Sequence, residues 1–178
     1  YTLLLDADIS LSSGILGALL NKARQENLSL VSLMAELPVQ RFSERLLVPA
    51  FIFFFKLLYP FKLSNESKSR MAAAAGGCIL VETGVLRSID AFTSIHHALI
   101  DDCALAAQVK QAGFKTWIGL SHAVQSHRGY DSLAAIWNTV ARTAFTQLHY
   151  SSLLLLLCTL IMSSMFWCAP LSAIIYTD

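Results

Sequence analysis

An apolar run that stops at two carboxylates, Leu3-Leu4-Leu5-Asp6-Ala7-Asp8, constrains this chain more than any other stretch. Three leucines in a row fit a strand covered on both faces, the pattern of a parallel sheet, and open α/β sheets place their ligands at the carboxyl ends of such strands. Asp6 and Asp8 then stand at a site. With one residue between them the two side chains start on opposite faces, and they converge only if the chain turns, which Ile9-Ser10-Leu11-Ser12-Ser13-Gly14 permits. Carboxylate oxygens at such a turn suit Mg²⁺ or Mn²⁺, ions that take one or two carboxylates and complete their shells with water and substrate phosphate. A nucleotide diphosphate fits that chemistry. The alternative is local: the two aspartates end the strand and cap a helix beginning near Ser12 or Ser13.

Hydrophobic residues make up 55% of the 178, and a mean hydropathy of +0.55 is high for a soluble domain. The 13 basic and 12 acidic residues nearly cancel, which argues against nucleic acid as a partner. Their distribution is lopsided: every Lys and Arg lies at or before Arg142, and with His149 neutral no charge occurs from Thr143 to Thr177. Residues 151–178 therefore read as a transmembrane segment, since a bilayer core asks for roughly 20 apolar residues. Pro170 is a tolerated kink, and a buried core helix is the alternative. The basic body before this segment is cytoplasmic by the positive-inside tendency. The four cysteines include no Cys-x-x-Cys pair, which fits a reduced setting without a zinc site or a disulfide framework. No signal peptide is visible, and a chain that opens on Tyr1 directly at an apolar strand is expected to lack the earlier strands of a complete domain.

Ile15, Leu16, Leu19, Leu20 and Ala23 recur at helical spacing, and a strand follows over 28–35. The run from Arg45 to Phe61 carries one internal charge and two prolines, which suits a helix lying in the lipid headgroup region with Lys56 snorkelling, or else a core helix. Residues 62–70 read as a mobile loop. Gly76 and Gly77 before the apolar strand Cys78–Val81 either let a sugar approach the backbone or make an ordinary turn. Residues 95–100 lead into Asp101-Asp102, which open a helix stopped by Gly113. An Asp in a first helical turn is favoured in its ionised form, as a general base must be; simple capping is the alternative. A strand over 114–120 precedes a polar loop holding His122, Gln125, His127 and Arg128. Residues 132–150 then read as an amphipathic helix with Arg142 off its apolar stripe, placed either to meet an anion or to be solvated.

Taken in order, Leu3-Leu4-Leu5-Asp6-Ala7-Asp8, Gly76-Gly77-Cys78, Asp101-Asp102 and a later Arg beside an apolar segment resemble a membrane-bound inverting glycosyltransferase of family 2. Arg45-Leu46-Leu47-Val48-Pro49-Ala50-Phe51-Ile52-Phe53-Phe54-Phe55, Leu99-Ile100-Asp101-Asp102-Cys103-Ala104-Leu105-Ala106 and Val140-Ala141-Arg142-Thr143-Ala144-Phe145 are similar to the hopene-associated, HpnB-type glycosyltransferases of bacteria. The resemblance implies an α/β domain of the GT-A (Rossmann-like) fold over 1–131, incomplete at its N-terminus and including an interfacial helix at 45–61. An interface helix over 132–150 and the transmembrane segment follow. By position, Asp6 and Asp8 hold Mg²⁺ or Mn²⁺ and the donor diphosphate, Gly76, Gly77 and Cys78 line the acceptor, and Asp102 is the base with Asp101 its neighbour. The family's closing Gln-x-x-Arg-Trp motif is only partly present. Gln125-Ser126-His127-Arg128-Gly129 has Gly in place of Trp, while Thr139-Val140-Ala141-Arg142-Thr143 keeps only the Arg, at better spacing. That departure argues against processive polymer synthesis.

The implied activity is inverting sugar transfer from a nucleotide-diphosphate donor to a lipid or hopanoid-type acceptor, at the cytoplasmic face of the bacterial inner membrane. The same acidic pairs also suit a metal-dependent nucleotidyl- or phosphotransferase, and a degenerate transferase fold serving as a membrane scaffold is a third reading.

Overall fold

In the computed structural model, residues 1–91, 101–130, 132–148 and 150–175 are described, with the side chains at 101, 142, 144, 147, 169, 171 and 173–175 outside that description. The chain divides into two compact units, Tyr1–Ile136 and Trp137–Asp178.

A five-stranded mixed sheet organises the first unit. Its strands are β1 (Thr2–Leu5), β2 (Ile9–Leu11), β3 (Leu30–Glu36), β4 (Cys78–Val81) and β5 (Thr116–Ser126), in the order β1-β4-β3-β5-β2. Period-two alternation divides the central strands between two cores. Leu30, Ile79 and Val81 face α4 (Thr83–Ser88) and α5 (Asp101–Gln111), where Val85, Leu86, Leu105, Ala106 and Val109 bury against them. Val31, Leu33, Cys78 and Leu80 face α1 (Ile15–Gln25), which contributes Leu19 and Ala23. Buried on both faces, these strands carry the continuous apolar runs seen in the sequence.

The expectation that β1 lies within a parallel sheet is corrected. It is an edge strand paired antiparallel to β4, with Leu5 opposite Cys78, and only β3 and β5 run parallel. Leu3 packs against one core and Leu4 against the other, so both faces are covered as the leucine run requires, but covering says nothing about strand direction. A second correction concerns residues 121–126. The polar side chains there predict a loop, yet β5 continues to Ser126, because Ile9, Ser10 and Leu11 pair with Ser126, Gln125 and Val124. Residues 62–70 differ as well. Phe61–Asn65 forms the short helix α3, and Asn65 binds the exposed edge of β5 by donating to the Ile118 carbonyl (3.0 Å) and accepting from its N–H (2.8 Å). Lys110 adds donations to the carbonyls of Ser64 and Met71.

The apolar run expected over 45–61 forms α2 (Phe42–Leu58), with Pro49 inside it and Phe42, Leu46 and Phe53 exposed. The helix α6 (Leu133–Gln147) spans the division between the units, and α7 (Ser152–Ile175) belongs to the second. Among the described residues no helix is long and apolar enough to cross a membrane, so the transmembrane helix expected over 151–178 is not found. The helix α7 carries no charged residue between Ser152 and Ile175. Within it Leu153, Leu156, Leu160 and Trp167 are exposed, and the Thr159 and Ser164 hydroxyls donate back to the carbonyls of Leu155 and Leu160.

Candidate active site

Asp6-Ala7-Asp8 joins the two edge strands of the sheet through a turn closed by the Ile9 N–H on the Asp6 carbonyl (3.1 Å). The turn that the spacing requires is therefore present. A Cβ on Gly76 would lie 3.5 Å from Asp102 Oδ2 and 3.7 Å from Asp6 Oδ2, so the two carboxylates close on one point of the backbone. Residues about a hundred positions apart meet there.

Asp102 is oriented from two sides. Its Oδ2 accepts the Gly76 N–H (2.8 Å) and its Oδ1 the Cys103 N–H (2.7 Å). The local capping expected of an Asp at a helix start explains the second bond, while the first reaches across to a different segment. That segment is itself fixed. Ser32, fully buried in β3, donates to the Ala75 carbonyl (3.1 Å) and accepts the Ala75 N–H (2.8 Å), and Cys103 Sγ donates to the Ala74 carbonyl (3.4 Å). Burial, with the Asp102 charge adding to it, pushes the Cys103 thiol up to about 12, so it stays protonated and is no nucleophile.

Asp8 is held separately. The Ser126 hydroxyl donates to its Oδ2 (2.6 Å), and the His127 N–H donates to its carbonyl (2.8 Å). The Arg128 N–H returns to the Ser126 hydroxyl (3.2 Å), which places the Arg128 backbone beside Asp8, while the Arg128 side chain is exposed. Gln125 is exposed on β5 opposite Ser10. No group of three or more His, Cys, Asp or Glu able to hold a metal ion occurs among the described residues. The turn itself offers two carboxylates, Asp6 and Asp8, the second of which already accepts from Ser126.

Not every expected residue joins the site. The Cys78 side chain is wholly buried in the α1-side core, where burial raises its thiol, so it does not line an acceptor pocket. Gly77 serves packing: a Cβ there would come within 3.3 Å of both Ala35 Cβ and Ile9 Cδ1. Of the Gly76-Gly77-Cys78 turn, only Gly76 opens on the carboxylates. Arg142 lies on α6 within the second unit, and its side chain, like that of Asp101 at the start of α5, is outside the described residues, as are 95–100.

Ser32 and Glu44 have supporting roles that the sequence did not suggest, and Ser126, read there only as part of a polar loop, supports Asp8. Ser32 left a signal, a single hydroxyl in an otherwise apolar strand. Glu44 is buried at the start of α2, where Oε2 accepts the N–H groups of Gln40 and Arg41 (both 2.8 Å) and Oε1 accepts that of Tyr130 (3.0 Å). It ties the loop carrying Arg128 to the helix. A Cβ on Gly129 would lie 3.3 Å from Glu44 Oε1, which is a local reason for Gly where the family 2 motif has Trp.

The Arg41 N–H above all, helped by the other two donors, holds the Glu44 carboxyl below its ordinary 4.5. A carboxyl whose folded value lies below its unfolded one adds stability above the unfolded value and loses it as pH falls through the folded value. Thermal melting of Glu44→Gln is expected to show a lower midpoint than wild type at neutral pH, with the gap closing in acid below 4.5. A gap that stays constant down to strongly acid pH contradicts this role.

Searches of the curated proteins and of the solved structures find no match. The family whose model does match is glycosyl transferase family 21, not the family 2 of the resemblance, and the match carries no sign of the hopene-associated subgroup. What stands is the broader reading of a glycosyltransferase with a mixed α/β fold. The match runs over residues 1–176, from the acidic turn to the end of the apolar helix, and the chain belongs to glycosyl transferase family 21.

Proposed function

We propose that this chain carries out an inverting transfer of a sugar from a nucleotide-diphosphate donor to the hydroxyl of a lipid acceptor, at the cytoplasmic face of a bacterial membrane. The reading rests on one observation: Asp6 and Asp102 bring their carboxylates together at Gly76, in a chain of a glycosyltransferase family. In a single displacement the acceptor oxygen forms a bond to the anomeric carbon, the bond from that carbon to the diphosphate breaks, and the acceptor proton passes to Asp102. Asp102 is assigned as base because two backbone N–H groups fix its direction at the turn. Asp6 and Asp8 would hold the divalent cation, which when bound supplies charge neutralisation to the departing diphosphate. Gly76 keeps the space between the carboxylates open. The exposed apolar side chains of α2 and α7 support a lipid surface as the working environment.

The test supplies the intact protein with nucleotide sugars and a lipid alcohol and identifies what is released. Sugar transfer yields the nucleoside diphosphate and a product of inverted anomeric configuration. Pyrophosphate release would instead establish nucleotidyl transfer, and retained configuration would refute the single displacement.

A further inference from the structure

The structure assigns Ser32 a positioning role for Asp102, exerted through the peptide group between Ala75 and Gly76 and resting on the reading of Asp102 as the base. Ser32 is fully buried in β3, the middle strand of the sheet, and stands opposite Ile79, where the pairing of β3 with β4 ends. The chain ahead of β4 has left the ladder. A hydroxyl offers one donor and two acceptor sites, and Ser32 uses both kinds on one residue, donating to the Ala75 carbonyl (3.1 Å) and accepting the Ala75 N–H (2.8 Å). The side chain thereby continues the pairing that the backbone has given up.

The consequence for Asp102 comes from the planarity of the amide. The Ala75 carbonyl and the Gly76 N–H belong to one rigid group and point in opposite directions, so anchoring the carbonyl on Ser32 aims the N–H, which donates to Asp102 Oδ2 (2.8 Å). The Cys78 N–H on the same carbonyl (3.4 Å) and the Cys103 thiol on the Ala74 carbonyl (3.4 Å) hold the neighbouring groups. A carbonyl that accepts a hydrogen bond also polarises its own amide and strengthens the N–H as a donor. Ser32, without touching Asp102, thus sets the aim and the strength of one of the two backbone bonds that orient the carboxylate. The other, from the Cys103 N–H, is local to the start of α5 and moves with that helix. Only the Gly76 bond of these two ties the carboxylate to the sheet.

The test uses the intact protein, isotope-labelled at glycine for nuclear magnetic resonance, with Ser32→Ala and Ser32→Cys. Ala removes both bonds, whereas Cys keeps the shape and a weak donor and reads the same quantity in a less disturbed core. In each variant the Gly76 amide proton is expected to shift upfield, as a weakened hydrogen bond does, while Gly113, whose N–H sits on the Lys110 carbonyl at the far end of α5, keeps its position. The kcat of sugar transfer should fall about tenfold or more, further in Ala than in Cys, with the KM for the nucleotide sugar kept within about twofold, because a misaimed base costs the transition state and not donor binding. A Gly76 resonance unmoved in both variants would overturn the assignment. So would a moved resonance with wild-type kcat, since Ser32 would then serve the fold alone. A wild type that transfers no sugar would count against Asp102 as the base instead, and the Gly76 resonance would still decide whether Ser32 governs the contact between Gly76 and Asp102.

Discussion

Asp102→Asn lowers sugar transfer by about 10²–10⁴-fold, the usual contribution of a positioned general base, while affinity for the nucleotide sugar is kept. The substitution preserves shape. An Asn oxygen can still accept one of the two N–H groups that now reach the carboxylate, from Gly76 and Cys103, so the turn holds its place. On the proposed mechanism, what disappears is the ability to take the acceptor proton. Steady-state kinetics with binding measured by calorimetry separates the two effects: kcat collapses and donor affinity does not. Full turnover in the variant would remove Asp102 from the chemistry.

Asp8→Asn is the second large effect. The Ser126 hydroxyl can still donate to the amide oxygen of Asn, so the 2.6 Å link to β5 survives. The negative charge is lost, and with it, on the proposed function, one of the two carboxylates that would hold a divalent cation. Transition-state charge stabilisation by a metal amounts to several kcal/mol, so activity should fall on the order of 10²–10³-fold at fixed Mn²⁺, with partial recovery as Mn²⁺ is raised. A variant with wild-type activity and an unchanged Mn²⁺ dependence contradicts the assignment.

Much of the first unit was legible because hydrophobic periodicity reports burial directly. The α1 stripe, the β3 and β4 runs and the glycine stop after α5 all follow from it, and Gly113 does adopt a left-handed φ of 89°. Strand direction was not legible: three leucines record that both faces of β1 are covered and nothing about which way its neighbour runs. The 121–126 segment misled for a related reason. Its polar side chains belong to a strand end whose pairing with Ile9–Leu11 is decided by residues far away in sequence. At the candidate site, Asp6 and Asp102 were singled out in the sequence with local capping as the alternative, and the structure brings both carboxylates to Gly76. Their supports were not singled out. Ser32 and Glu44 act through hydrogen bonds to backbone groups 43 and 86 positions away, Ser126 through one to the Asp8 carboxylate 118 positions away, and such bonds leave no spacing pattern. Cys78 shows the reverse error, since Gly76, two positions before it, faces the carboxylates while the Cys78 side chain turns into the core.

On the proposed function, the acidic turn after β1 and the start of α5 form one site around Gly76. Nuclear magnetic resonance of the glycine-labelled protein tests it most directly, with Mn²⁺ added in the presence of a nucleoside diphosphate. The Gly76 amide should broaden beyond detection at low Mn²⁺ and reappear sharp when Asp6 and Asp8 are both replaced by Asn. A Gly76 signal that stays sharp at saturating Mn²⁺, or that broadens equally without the two aspartates, would contradict the account.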